Sequence, residues 1–173
     1  VCISTTAFAQ NDTDVVEEES QFQSYQELIL ADKPVAYWNF ETKAANATES
    51  QAWKAEEKGT PKYTSGGPTS KESPLMPADN RVLQLDGKSA LVVQDPGDES
   101  VFDFTNGDTI SVEAWVNCTK LGGGANVYII GKGRTGNKDF AANNQNWAVR
   151  LREQGGSGAL SFLFRDERNR GND

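Results

Sequence analysis

Apolar and polar residues alternate with a period of two along much of the second half of the chain. Trp147, Val149 and Leu151 share one face of an extended segment, with arginines between them, and residues 159–164 alternate in the same way. This period is typical of half-buried antiparallel strands. We therefore predict an all-β chain folded as an antiparallel β-sandwich. By alternation and β-branched or aromatic content, the predicted strands are 35–40, 81–86, 89–94, 109–117, 126–132, 146–152 and 159–164.

One short helix is predicted before the first of these strands. The sequence SYQE at 24–27 matches a capping box, in which the Ser24 hydroxyl accepts a hydrogen bond from the backbone of Glu27 and the Glu27 carboxylate reaches back. The helix is expected to extend to about Ala31, because Pro34 disfavours helical geometry in the residue before it.

Two connections stand out between the predicted strands. Asp86-Gly87-Lys88 has the turn chemistry of a hairpin, which predicts that strand 81–86 pairs with strand 89–94. Residues 41–80 are rich in small and polar side chains, and we predict a long loop insertion there. Long loops are uncommon in compact domains and are usually functional or mobile.

The N-terminal residues are typical of an exported protein. Residues 1–9 are uncharged and end in Ala-Phe-Ala, which fits the A-x-A site of a signal peptidase, so we predict the remnant of a signal peptide. Residues 10–23 are polar with clustered acidic side chains, which predicts a disordered leader. Residues 24–173 would then be a partial, incomplete domain of a protein that is periplasmic, displayed on the cell surface or secreted.

Charge and composition exclude several functional classes. The chain has 173 residues and a formal net charge of −8. An acidic balance disfavours nucleic acid, because phosphate binding needs clustered basic residues. No run of about 18 apolar residues occurs, so no membrane span is predicted. Histidine is absent, which excludes a Ser-His-Asp triad and a histidine-ligated metal from this segment.

Two sequence patterns with catalytic associations do not meet the requirements of a catalytic site. Residues 131–136 match G-x-G-x-x-G after a strand, but the residues that follow lack the helical period that a dinucleotide site requires. Glycoside hydrolysis needs a pair of carboxylates flanking the scissile bond, whereas Glu113 stands alone among apolar neighbours. We therefore predict no enzyme activity in this segment.

Six stretches of the chain form a recognisable pattern by their order and spacing. They are ADKPVAYWNF (31–40), LDG (85–87), DTISVEAWVN (108–117), VYIIGKGRTGN (127–137), NQNWAVRLR (144–152) and SFLFRD (161–166). Together they resemble the laminin-G-like, concanavalin A-like jelly-roll domains of exported bacterial multidomain proteins. This resemblance implies two curved antiparallel sheets, a carbohydrate or glycoconjugate ligand and, often, one Ca²⁺ near the rim.

The resemblance and the sequence context each point to candidate site residues. By family position, Asp86 and Asp108 are the candidate Ca²⁺ ligands, although aspartate is also common in turns that bind no metal. Trp53, within the polar insertion, is the candidate ligand-binding aromatic residue. The three tryptophans inside predicted strands, which a sugar could also stack on, are expected to be buried in the core: Trp38, Trp115 and Trp147.

Two functions are consistent with these patterns. The favoured one is a non-catalytic module that binds carbohydrate or mediates adhesion within an exported multidomain protein. The alternative is a structural spacer joined to further domains of the same polypeptide, such as a cytochrome-c-like redox domain or a hydrolytic enzyme.

Overall fold

The computed structural model describes residues 2–4, 22–48, 53–97, 99–104, 107–121, 126–133 and 146–165. Within these ranges the chain is mostly strands with one short helix, which confirms the prediction of a mainly-β protein. The elements in chain order are β1 (Cys2–Ser4), α1 (Tyr25–Ala31), β2 (Ala36–Tyr37), β3 (Ala55–Lys58), β4 (Lys62–Ser65), β5 (Arg81–Gln84), β6 (Ala90–Val93), β7 (Ser111–Glu113), β8 (Asn126–Lys132), β9 (Trp147–Gln154) and β10 (Ser157–Phe164).

The chain divides into two compact units, each with small antiparallel sheets. The first unit is Val1–Gly97 with Gly107–Trp115, and the second is Asp98–Asn106 with Val116–Asp173. The first contains a sheet in the order β2-β1-β7 and two two-stranded ribbons, β3-β6 and β4-β5. The second contains a sheet in the order β10-β9-β8. Every pairing among the described strands is antiparallel.

Helix α1 begins and ends where its sequence predicts. The Ser24 hydroxyl accepts from the Glu27 backbone N–H at 3.2 Å. The Glu27 carboxylate reaches back to the N–H of Gln23, at 2.8 Å, one residue earlier than in a standard capping box. Ile29 is the buried residue of the helix and forms a small core cluster with Tyr37 of β2. The helix is thereby packed beside β2.

The hairpin predicted around Asp86-Gly87-Lys88 is wrong in its pairing. Strand β5 pairs with β4, and β6 pairs with β3, so the two strands flanking this turn lie end to end along one side of a bent ribbon. The bend is tight: a Cβ on Gly59, whose φ is +74°, would lie 2.9 Å from Ser89 Oγ. That hydroxyl accepts from the Thr60 N–H at 3.0 Å. Ribbon pairing with β3 and β4 therefore replaces the local hairpin.

Part of the predicted loop insertion at 41–80 is strand. Ala55–Lys58 and Lys62–Ser65 are β3 and β4, and they pair with the more apolar β6 and β5. Strand formation depends strongly on cross-strand neighbours as well as on a segment's own composition. Because β3 and β4 are polar, their own sequences do not predict strands. Pairing with the more apolar β6 and β5 stabilises them as strands.

The predicted signal remnant and leader are described only in part. Residues 2–4 form β1, which lies between β2 and β7. The predicted cleavage point after Ala9 and leader residues 10–21 lie outside the described residues. Both assignments stay predictions.

Trp147 is a buried residue of the second unit that contacts residues 99–104. It is 3% exposed, and its indole N–H donates to the Phe102 carbonyl at 2.9 Å. Its ring meets Phe104 edge to face, with 5.9 Å between centroids. An ion pair of 2.6 Å between Lys132 and Asp103 joins the same segment to the end of β8. Residues 99–104 therefore cover one end of the sheet.

Candidate functional site

A groove of about 750 Å³ lies in the first unit, lined mainly by aromatic, proline and amide side chains. It is formed by α1 and the residues just before it, by the end of β2 and the segment that continues from it, by the 68–83 region, and by the end of β7 and the two residues after it. The Tyr25 N–H donates to the Leu75 carbonyl at 2.9 Å, which fixes the helix start against the 68–83 region. The aromatic lining residues are Tyr25, Tyr37, Trp38, Phe40 and Trp115.

One wall of the groove is an aromatic pair supported by a carboxylate. The Trp115 indole N–H donates to the Tyr25 hydroxyl oxygen at 3.1 Å, and that hydroxyl donates to Glu113. The two rings meet edge to face, with centroids 6.5 Å apart and planes at 65°. Because both polar tips are hydrogen-bonded, the ring orientations are held. Trp115 as a residue is 50% exposed.

The Tyr25 hydroxyl keeps its proton over the physiological range. Burial, and then the hydrogen bond to Glu113, raise the pKa of Tyr25 well above its usual value. A neutral hydroxyl can donate to the carboxylate and accept from the indole at the same time. The neutral Tyr25 hydroxyl therefore serves both hydrogen bonds at once.

Amide and charged side chains line the groove on another side. Asn39 donates from its amide to Gln26 Oε1 at 2.9 Å, which links the residues after β2 to α1. Glu41 Oε1 accepts from the Arg81 backbone N–H at 2.8 Å. The Arg81 guanidinium donates to the Tyr63 carbonyl at 2.9 Å and is thereby held along the ribbon. Placed polar groups of these types can orient a ligand in a mainly apolar site.

Phe40, which lines the groove, has an unusual backbone conformation. Its φ is +63°, in the left-handed region that bulky residues rarely adopt. Its ring lies 6.5 Å from the Tyr63 ring, at 47°. Strained positions of this type cluster at binding sites, where the surrounding structure holds them.

The groove is acidic as well as aromatic. Its charged lining residues are one cation, Arg81, and three carboxylates, Glu41, Asp79 and Glu113, so the formal charge of the lining is −2. A focused negative potential favours neutral or cationic ligands over anions. Anionic ligands are therefore disfavoured.

The predicted tryptophans divide between core and groove. Trp38 and Trp147 are buried, at 7% and 3% exposure, as expected. The expectation that Trp115 is in the core is wrong, because its strand ends at Glu113 and the chain leaves the sheet before Trp115. Trp53, the sequence candidate for ligand binding, is half-buried and lies outside the groove lining. Its ligand role stays a prediction.

The Asp86 side chain accepts hydrogen bonds within its own turn. Its Oδ1 accepts from the backbone N–H of Lys88 at 2.9 Å and of Ser89 at 2.8 Å, and these bonds lower its pKa below the usual value. Asp108 is exposed near the start of β7. Within the described ranges, no group of three or more acidic, cysteine or histidine side chains is arranged to hold a metal. A Ca²⁺ site at Asp86 and Asp108 stays a prediction.

Gly131, the first glycine of G-x-G-x-x-G, has a packing role. A Cβ at this position would lie 2.6 Å from the Trp147 carbonyl oxygen and 2.8 Å from the Ala148 Cβ. Gly133 follows with φ of +70°. The remaining residues of the motif, 134–136, lie outside the described part of the chain. Close approach of β8 and β9 is sufficient to explain the glycine at 131.

The groove was not predicted because its members are far apart in sequence. Tyr25 and Glu113 are separated by 88 positions, and each has an ordinary role in its own segment. The one sequence signal for the groove was Tyr25, an aromatic residue inside the capping box at a position where a polar residue would serve the helix equally well.

None of the helical segments in the part of the chain that the structure describes has both the length and the apolar character of a membrane span.

Comparisons with protein-family models, with curated proteins and with solved structures find no match to this chain.

Proposed function

We propose that this chain is a non-catalytic carbohydrate-binding module of an exported multidomain protein, and that the groove of its first unit is the binding site. Its small antiparallel sheets are compatible with a laminin-G-like jelly roll, which we propose as the parent fold. The apolar N-terminal residues ending in Ala7-Phe8-Ala9 support export. The sequence patterns that disfavour catalysis support a binding role.

The observation that carries this proposal is the half-exposed ring of Trp115 on the groove wall. A tryptophan face offers a flat apolar surface to the C–H face of a sugar ring. The ring is already oriented by its bond to Tyr25, so little conformational entropy is lost when a ligand stacks on it. Amide and carboxylate groups of Asn39 and Glu41 supply hydrogen-bonding partners for sugar hydroxyls.

The charge of the groove narrows the ligand class. With a lining charge of −2, the site favours neutral sugars and sugars that carry an amino group. Binding of a cationic amino sugar should weaken as salt is added, because screening reduces exposed charge interactions. Binding of a neutral sugar should change little with salt.

Replacing Trp115 with alanine should weaken sugar binding at least tenfold, because stacking on this wall would be lost, while the melting temperature stays close to that of the wild type. Ten-fold corresponds to about 1.4 kcal/mol of binding free energy. The measurement is calorimetric titration with members of a panel of neutral, amino-substituted and uronic-acid oligosaccharides, beside a thermal melt.

Two variants act as controls for this experiment. Val116→Ala changes an exposed apolar residue outside the groove lining and should leave binding unchanged. Trp53→Ala tests the candidate favoured by sequence. If Trp53→Ala abolishes binding and Trp115→Ala does not, the groove is not the site. If no oligosaccharide binds, with or without added Ca²⁺, the proposal fails and the spacer interpretation gains support.

A further inference from the structure

Strand β10 is an edge strand with an apolar, uncharged surface. It pairs with β9 on one side, and no described residue pairs with its other side. Its sequence, SGALSFLF, contains no charged residue and no proline. Leu160 is 73% exposed, Phe162 42% and Phe164 48%. Edge strands are usually protected by charges, prolines or bulges, because their free backbone groups can pair with another chain.

The backbone geometry shows which groups of β10 point away from β9. The β9–β10 hairpin closes through Gly155 and Gly156, whose φ values of +60° and +82° are those of a two-residue type I′ turn. The Arg165 N–H donates to the Asn146 carbonyl at 2.9 Å, one register step beyond the ladder. Odd-numbered residues of β10 therefore bond to β9, and even-numbered residues direct their N–H and C=O outward.

We propose that β10 is a homodimer interface, in which the strand pairs antiparallel with β10 of a second copy of this chain. The twofold axis passes through Ser161. This register places Leu160 opposite Phe162 of the second copy and Gly158 opposite its Phe164. The two three-stranded sheets then form one continuous sheet of six strands.

A second copy fits this edge because the strand is complementary to itself. The register uses all four outward-facing residues of each copy, which gives about eight main-chain hydrogen bonds. It aligns the apolar faces of the two strands, so Leu160 and Phe162 of each copy make cross-strand contacts. No like charges meet along the pairing, because β10 carries none. The pairing covers the outer edge of β10 in both copies, so no further copy can add to the sheet through this strand.

The register is tested by disulfide trapping in a Cys2→Ser, Cys118→Ser background of the 173-residue chain. Ser161→Cys places two thiols opposite each other on the axis, at a non-hydrogen-bonded pair about 4.5 Å apart between Cα atoms. That spacing lies within the range that disulfides span. We expect a covalent dimer on mild oxidation. Ala159→Cys is the matched control on the same face; it would lie opposite Leu163 of the second copy and should stay monomeric.

The association itself is tested by light scattering during size-exclusion chromatography. We expect a dimer whose fraction rises with salt, because each copy has a net charge of −8. Leu160→Lys should shift the equilibrium toward monomer at least tenfold, whereas Val92→Lys, at another exposed apolar strand position, should leave it unchanged. Thermal melts establish that both variants fold.

Three results would overturn the proposal. One is a folded wild-type chain that remains monomeric at high concentration and high salt. Another is equal cross-linking of Ser161→Cys and Ala159→Cys, which would mean that the strands meet without this register. The third is a folded Leu160→Lys variant that dimerises as well as the wild type, which would place any dimer contact elsewhere.

Discussion

Replacing Trp147 with alanine is expected to lower the free energy of unfolding by about 3–5 kcal/mol, the usual cost of emptying a buried aromatic site. The ring is 3% exposed and packs edge to face on Phe104. Its loss also removes the donor to the Phe102 carbonyl. For a chain of this size the melting temperature should fall by roughly 10 °C. Chemical denaturation followed by circular dichroism measures the effect.

Trp147→Phe separates the two contributions. It keeps an aromatic ring in the site but removes the indole N–H, so the loss should be nearer the ~1 kcal/mol of a single hydrogen bond. Trp115→Ala is the exposed counterpart and should cost much less stability than Trp147→Ala. If Trp147→Ala were as stable as the wild type, residues 99–104 would not be packed on the sheet as described.

Gly131→Val is expected to destabilise the second unit by about 1–3 kcal/mol or more, through overpacking. The new side chain would meet the Trp147 carbonyl oxygen and Ala148, and a backbone atom cannot move aside as a flexible side chain can. Strands β8 and β9 would have to separate locally. The measurement is hydrogen exchange along β9, which should lose protection beside Gly131 before the rest of the sheet does.

Gly158→Ala is the matched control for this substitution. A Cβ on Gly158 would lie 3.1 Å from Leu121 Cδ1, the end of a side chain that can rotate away. The expected change in stability is therefore small. Equal effects of Gly131→Val and Gly158→Ala would contradict the close approach of β8 and β9.

Elements that depend on neighbours in sequence were predictable. The capping box defines α1 because its donor and acceptor lie three residues apart. Strands β9 and β10 follow from alternation, and the Gly155-Gly156 turn extends both of them beyond the predicted bounds. Pairing between distant segments was not predictable in the same way. The turn at Asp86 has a hairpin sequence, but competition from β3 and β4 decides the partners of β5 and β6.

The candidate site shows the same division. Sequence context favoured Trp53, because a tryptophan in a polar segment is the more exposed candidate, and assigned Trp115 to the core because its neighbours are strand-forming. The structure ends β7 at Glu113 and leaves Trp115 half exposed beside Tyr25. The predicted strand runs to residue 117 and β7 ends at Glu113, and this difference of four residues places Trp115 on the groove wall instead of in the core.

By itself, the sequence determined the mainly-β character, the short capped helix and the absence of histidine chemistry, since these depend on residue identity and local periodicity. Only the tertiary structure decided which strands pair and which aromatic rings share a groove. Both depend on contacts such as that between Tyr25 and Glu113. The physical reason is that the hydrophobic effect is non-directional: it specifies that Trp and Phe gain from leaving water, and the folded chain decides which of them do.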